Sequence, residues 1–137
     1  MQSILVKDYM DPNTHAIQVT SNIRDAVESM LRNKVIGAPV VDSDHKLVGY
    51  VSEQDCMKEM LNNTFYCEEP PNITKVMSKA VLSATPDTSI LEIAEKMLDR
   101  LPKNYPVIRD GKLIGIINRS HVLRALIEND ADCYIHR

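Results

Sequence analysis

Apolar residues return along this chain in two rhythms. At Ile23, Val27, Met30 and Leu31, and again at Ile90, Ala94, Met97, Leu98 and Leu101, they recur every three or four positions, which predicts one buried helix face in each stretch. After each helix come two short apolar runs parted by polar residues. These are "APVVD" and "KLVGYVS" around "SDH", then "YPVIR" and "KLIGII" around "DG", and both pairs predict hairpins. A brief β run ("AIQV", "VLSA") precedes each helix, and a second helix closes each set near 54–61 and 120–127. Ser89 and Glu92 have the spacing of a capping box at the head of the later helix. The element order is β-α-β-β-α, written twice.

The duplication extends to single residues. Met10 and Met77, Ile23 and Ile90, Met30 and Met97, and Pro39 and Pro106 are all 67 positions apart. One deletion in the second hairpin turn changes the offset to 66, which matches Gly49 to Gly115 and Asp55 to His121. Two repeats, 1–66 and 67–137, therefore account for the chain, and "NNTFYCEEPPN" reads as the linker between them. One three-stranded unit cannot cover both of its faces. The expectation is an α/β (α+β) fold of two units packed about a pseudo-twofold axis, intertwined as one module.

Composition narrows the function. With 44% apolar residues, 137 positions can fill a core. Net charge is −3 with both signs interspersed, so no basic stripe marks a nucleic-acid partner. No run is long and apolar enough for a membrane, and the start "MQSILVKDYM" lacks the features of a signal peptide. Cys56, Cys67 and Cys133 are too few and too scattered for a disulfide framework, and Cys56 falls on an apolar helical position. Cys133 and His136 lie in a polar tail, and the four histidines show no metal-ligand spacing. No nucleophile–base order and no phosphate-cradling glycine loop is present, so the expectation is a protein without catalytic activity, in the cytoplasm.

The helix followed by "PVVD", "KLVG" and "VSEQD", echoed as "PVIRDGKLIGIINRSH", resembles a tandem pair of CBS domains, the regulatory modules named after cystathionine β-synthase. The resemblance covers about residues 4–128. It implies two clefts between the repeats that take adenosyl ligands such as AMP, ADP, ATP or S-adenosylmethionine. It further implies a homodimer that passes occupancy to a regulated protein whose identity is unknown. The alternative is a non-catalytic structural or interaction module whose clefts are empty or hold only ions.

The family signature Gly-x-x-Thr/Ser-x-x-Asp appears as Gly49, Ser52 and Asp55, beside Tyr50. Two readings of it stand together. A carboxylate accepts both hydroxyls of a ribose, while Ser-x-x-Asp is also the spacing of a helix cap. The family arrangement completes that cleft with Val81, Leu82, Lys103, Asn104, Tyr105, Arg119 and Ser120: the apolar pair against adenine, Lys103 and Arg119 toward phosphate. The second cleft would use Ala16, Ile17, Ile36, Gly37 and Ala38 with Asn118 and His121, which stand where Ser and Asp are expected. A neutral imidazole offers one acceptor and cannot grip a diol as a carboxylate does, and His121 is read as a plain surface or helix-start residue in preference to a ligand contact. The two clefts are expected to be unequal.

Overall fold

The structure, a computed structural model, describes residues 4–63, 69–99 and 104–135. The chain divides into two compact units. One gathers Thr14–Val81 with Gly111–Leu113, and the other gathers Met1–Asn13, Leu82–Asp110 and Ile114–Arg137. Neither coincides with a sequence repeat, because each takes in the opening segment of the other repeat.

In the first of these units, strand β1 (Ile17–Gln18) leads into helix α1 (Ile23–Asn33). Asn22 caps that helix by accepting the Asp25 N–H on its side-chain oxygen at 2.8 Å. Lys34 ends it in the left-handed conformation at φ 56°. Strands β2 (Gly37–Val41) and β3 (Leu47–Ser52) pair antiparallel, β1 joins β2 in parallel, and helix α2 (Glu53–Asn63) closes the set. The start of the other repeat then completes the unit. Ile73, in the 3-10 turn Ile73–Lys75, is fully buried in the same cluster as Ile23, Met30, Val40 and Cys56. Its N–H bonds to Ser21 O, and Ile23 N–H bonds to Pro71 O. The end of the expected linker is thus anchored, its beginning is helical, and residues 64–68 lie outside the described residues.

The other unit repeats the scheme. Helix α3 (Ile90–Leu98), strands β4 (Asn104–Arg109) and β5 (Lys112–Asn118) and helix α4 (Arg119–Ile135) follow in order. Ser89 caps α3 through Leu91 N–H, one position short of the box expected with Glu92. Asp110 and Gly111 both have positive φ, 53° and 79°, as a two-residue hairpin turn of the "DG" kind requires. The opening turn Val6–Asp8 belongs here: Val6 is fully buried with Ile90, Ile93, Tyr105 and Ile117, and its N–H bonds to Thr88 O.

Two expectations change. "VLSA" forms no strand and touches β4 only at Ala84, which bonds to Pro106 O and Ile108 N–H. Pro86 has no N–H to continue the ladder, and Thr85 and Thr88 bond to each other in a turn that leads the chain away. The tail expected after 127 is instead helical as far as Ile135, since nothing between 119 and 135 breaks a helix.

Candidate functional site

The signature residues sit where β3 turns into α2. Ser52 is the last residue of the strand, and its Oγ accepts the Asp55 N–H at 3.1 Å. The capping reading is therefore realised through the Asp55 backbone. The Asp55 side chain is exposed, and among the described residues its carboxylate has no hydrogen bond or ion pair. Glu53 N–H bonds to Ile36 O, which ties the corner to the residue just before β2. The corner thus presents a carboxylate on a fixed backbone, with an acid in the first helical turn where the dipole favours it. Cys56, one residue on, is fully buried, and burial with the nearby Asp55 charge pushes its thiol up to about 11.

Gly49 is buried beneath Met77 and Ser78. Its missing side chain makes room for the chain itself, where a ligand contact was expected. Ser78 lies alongside β3, exchanging both backbone hydrogen bonds with Tyr50 at 2.8 and 2.9 Å. The Tyr50 phenol lies over Gly37, where a Cβ would stand 2.8 Å from its hydroxyl oxygen. In this unit Val81 and Ala16 are half-buried, Ile17 and Ala38 are buried, and Ile36 is exposed. The second-cleft surface expected at Gly37 and Ala38 is thus taken up by an aromatic ring and by core packing.

The remaining expected residues belong to the other unit. Leu82, Arg119 and Ser120 are exposed, and Asn104 is half-buried. Lys103 lies outside the described residues, as do Cys67 and His136. Tyr105 differs from expectation: its side chain is 1% exposed and packs in the core, because β4 is buried on both faces from Tyr105 to Val107. Among the described residues its hydroxyl has no hydrogen-bond partner, and burial raises its pKa.

At the junction of β5 and α4 the repeat is matched in form but not in chemistry. Asn118 Oδ1 accepts the His121 N–H, and His121 Nδ1 accepts the Asn118 N–H, both at 3.1 Å. This is a reciprocal capping box with imidazole in place of carboxylate. Asn-x-x-His carries the required spacing, and the structure puts His121 at the helix start, as a cap. A second feature had no sequence signal. Tyr9 donates to Glu128 Oε2 at 2.7 Å, and Asn129 donates to the Tyr9 oxygen at 3.2 Å, which fastens the opening turn to α4. In the first-described unit Lys75 and Glu59 do the same for α2 with an ion pair at 2.7 Å.

Between α1 and α2 lies an apolar groove of about 380 Å³ lined by Val27, Met30, Leu31, Met57, Met60 and Leu61, with Glu53 at its edge. Leu31 and Leu61 are 68% and 63% exposed. Among the described residues no cluster of His, Cys, Asp or Glu is arranged to hold a metal, and no helix is long and apolar enough to cross a membrane.

Comparison with known proteins gives these corners a context. The sequence profile of the CBS domain matches residues 6–62 and again 73–128. The uncharacterized protein MJ1225 of Methanocaldococcus jannaschii is 26% identical over 121 residues; the match covers 88% of this chain but 42% of that protein. The crystal structure of CBSX2 in complex with AMP, a protein known from Arabidopsis thaliana, superposes with a TM-score of 0.78 at 29% identity, covering 92% of this chain and 98% of that one. A putative acetoin utilization protein, AcuB, from Vibrio cholerae does so with a TM-score of 0.81 at 26% identity, covering 99% and 98%.

Proposed function

Since the chain belongs to the CBS domain family as a tandem pair, we propose that it is a regulatory module whose ligand is an adenine nucleotide or another adenosyl compound, held by its ribose at Asp55. The observation that carries this reading is the state of the β3–α2 corner. Ser52 fixes the Asp55 backbone, while the Asp55 carboxylate stays exposed and without a protein partner among the described residues. A carboxylate so placed can accept two vicinal hydroxyls at once. The AMP complex of CBSX2 supports the same ligand class in a relative. Val81, half-buried in the same unit as Asp55, supplies apolar surface for a base. AMP, ADP, ATP and S-adenosylmethionine are the ligands to test.

A second reading has its own observation. The groove between α1 and α2 exposes Leu31, Met57 and Leu61, more apolar surface than a solitary soluble domain usually leaves to water. We propose that a second copy covers it in a homodimer, whose geometry carries the signal to a regulated protein; cytoplasmic location and the lack of catalysis belong to the same proposal. Light scattering at micromolar concentration tests the dimer, and a mass of 15.5 kDa would refute it.

Thermal denaturation with millimolar AMP, ADP, ATP or S-adenosylmethionine tests the ligand. At 100 times its dissociation constant a ligand stabilises the fold by about 2.7 kcal/mol. A shift with one of them that vanishes in Asp55→Asn is the expected result. No shift with any of them would leave the interaction module as the function.

A further inference from the structure

The bond from the Asn118 N–H to His121 Nδ1 forms only when that nitrogen carries no proton. We propose that the Asn118–His121 pair is a proton-operated latch on the junction between β5 and α4. In the neutral ring the proton sits on Nε2, Nδ1 is a bare acceptor, and the capping box is closed in both directions. An imidazolium has N–H groups on both nitrogens, so Nδ1–H would face the Asn118 N–H, donor against donor. The box then loses one of its two bonds, and the half-buried Asn118 N–H is left to find water. The corresponding corner of the other unit is not built this way. There a serine hydroxyl accepts the Asp55 N–H, and a hydroxyl does not titrate in this range.

The charges facing the ring are Asp11, from the opening segment that pairs with β5 through Ile116, and Arg124, farther along α4. Burial is the largest influence and disfavours the imidazolium; Asp11 favours it and Arg124 opposes it. The net result holds the His121 pKa below the ordinary value of 6.5. As pH falls, the unfolded chain takes up this proton first. The stability contributed by the neutral ring is complete above about 6.5 and is lost as pH falls through the lower folded value. One proton changes the ratio of folded to unfolded protein by at most about tenfold per pH unit. The latch needs no ligand. It would nevertheless act on Arg119 and Ser120, which begin the helix it caps.

Two measurements on the full chain test it. Nitrogen-15 NMR of the four histidine rings should show His121 neutral at about pH 7.5, protonated on Nε2, and titrating below 6.5. Urea unfolding from about pH 7.5 to 5.5 is then compared with His121→Gln, which keeps an acceptor and has no titrating group. The unaltered protein should lose stability more steeply than the variant. A proton on Nδ1, a titration at or above 6.5, or parallel pH profiles would overturn the latch. If His121→Gln does not fold, the ring titration of the unaltered protein decides alone.

Discussion

Met77 roofs Gly49: a Cβ on that glycine would stand 2.8 Å from the methionine sulfur and 2.9 Å from the Ser78 carbonyl oxygen. The sulfur is at the end of a flexible side chain, but the carbonyl is held in the pairing with Tyr50 and cannot withdraw. Gly49→Ala should therefore cost about 1–3 kcal/mol, as other overpacked cores do. Gly115→Ala meets Met10 Sδ at 2.6 Å but a backbone oxygen only at 3.1 Å, and should cost less. Denaturant midpoints of both variants check the order, and equal costs would count against this account.

Asp55→Asn separates binding from folding. The cap runs from the residue's backbone N–H to Ser52, so the side chain can change without loosening α2. Stability should stay within about 0.5 kcal/mol of the parent. A charged hydrogen bond contributes about 1.5–3 kcal/mol, so nucleotide affinity should fall roughly ten- to a hundredfold by calorimetry. Undiminished affinity would remove Asp55 from the site.

Tyr105→Phe deletes a buried hydroxyl that has no partner among the described residues. Leaving such a group unpaired costs about 1–3 kcal/mol, so its removal should leave the melting temperature equal or higher. Nucleotide affinity should not move, since the side chain is in the core. A clear loss of stability would mean that the hydroxyl is satisfied in solution.

Calorimetric stoichiometry addresses the inequality of the repeats. At the β5–α4 corner the two signature positions, Asn118 and His121, bond to each other, and the ring of Tyr50 covers Gly37. One nucleotide per chain is expected. Two equivalent nucleotides per chain would show that neither feature obstructs binding.

The strands and helices were legible because their apolar spacing is local, and the cap at Ser52 and Asp55 because its three-residue spacing is local too. What escaped depended on partners distant in sequence. Val6 and Ile73 look alike as apolar residues in short polar segments, and nothing near them says that each is buried among the helices of the other repeat. Tyr105 looked like a cleft residue because it precedes "PV", but both faces of its strand are covered. The first strand of the second repeat shrank to Ala84 for a reason that was local and visible: Pro86 follows two residues later. Asn-x-x-His shows a helix-start position at 121, but not that the imidazole itself closes the cap by accepting the Asn118 N–H.

The placement of Val6 and Ile73 also bears on how such a protein could have arisen. A lone repeat is a fragment: it lacks the opening turn that fills its core and keeps one that has nowhere to go. Two identical fragments can each lend the other that turn, so a single-repeat ancestor would have existed as an obligate pair of chains. Fusing the two chains would turn a reciprocal loan into an internal one, freeing the copies to diverge, as Asp55 and His121 have done. Peptides cut at the junction, 1–66 and 67–137, should accordingly be unfolded apart and recover the fold when mixed.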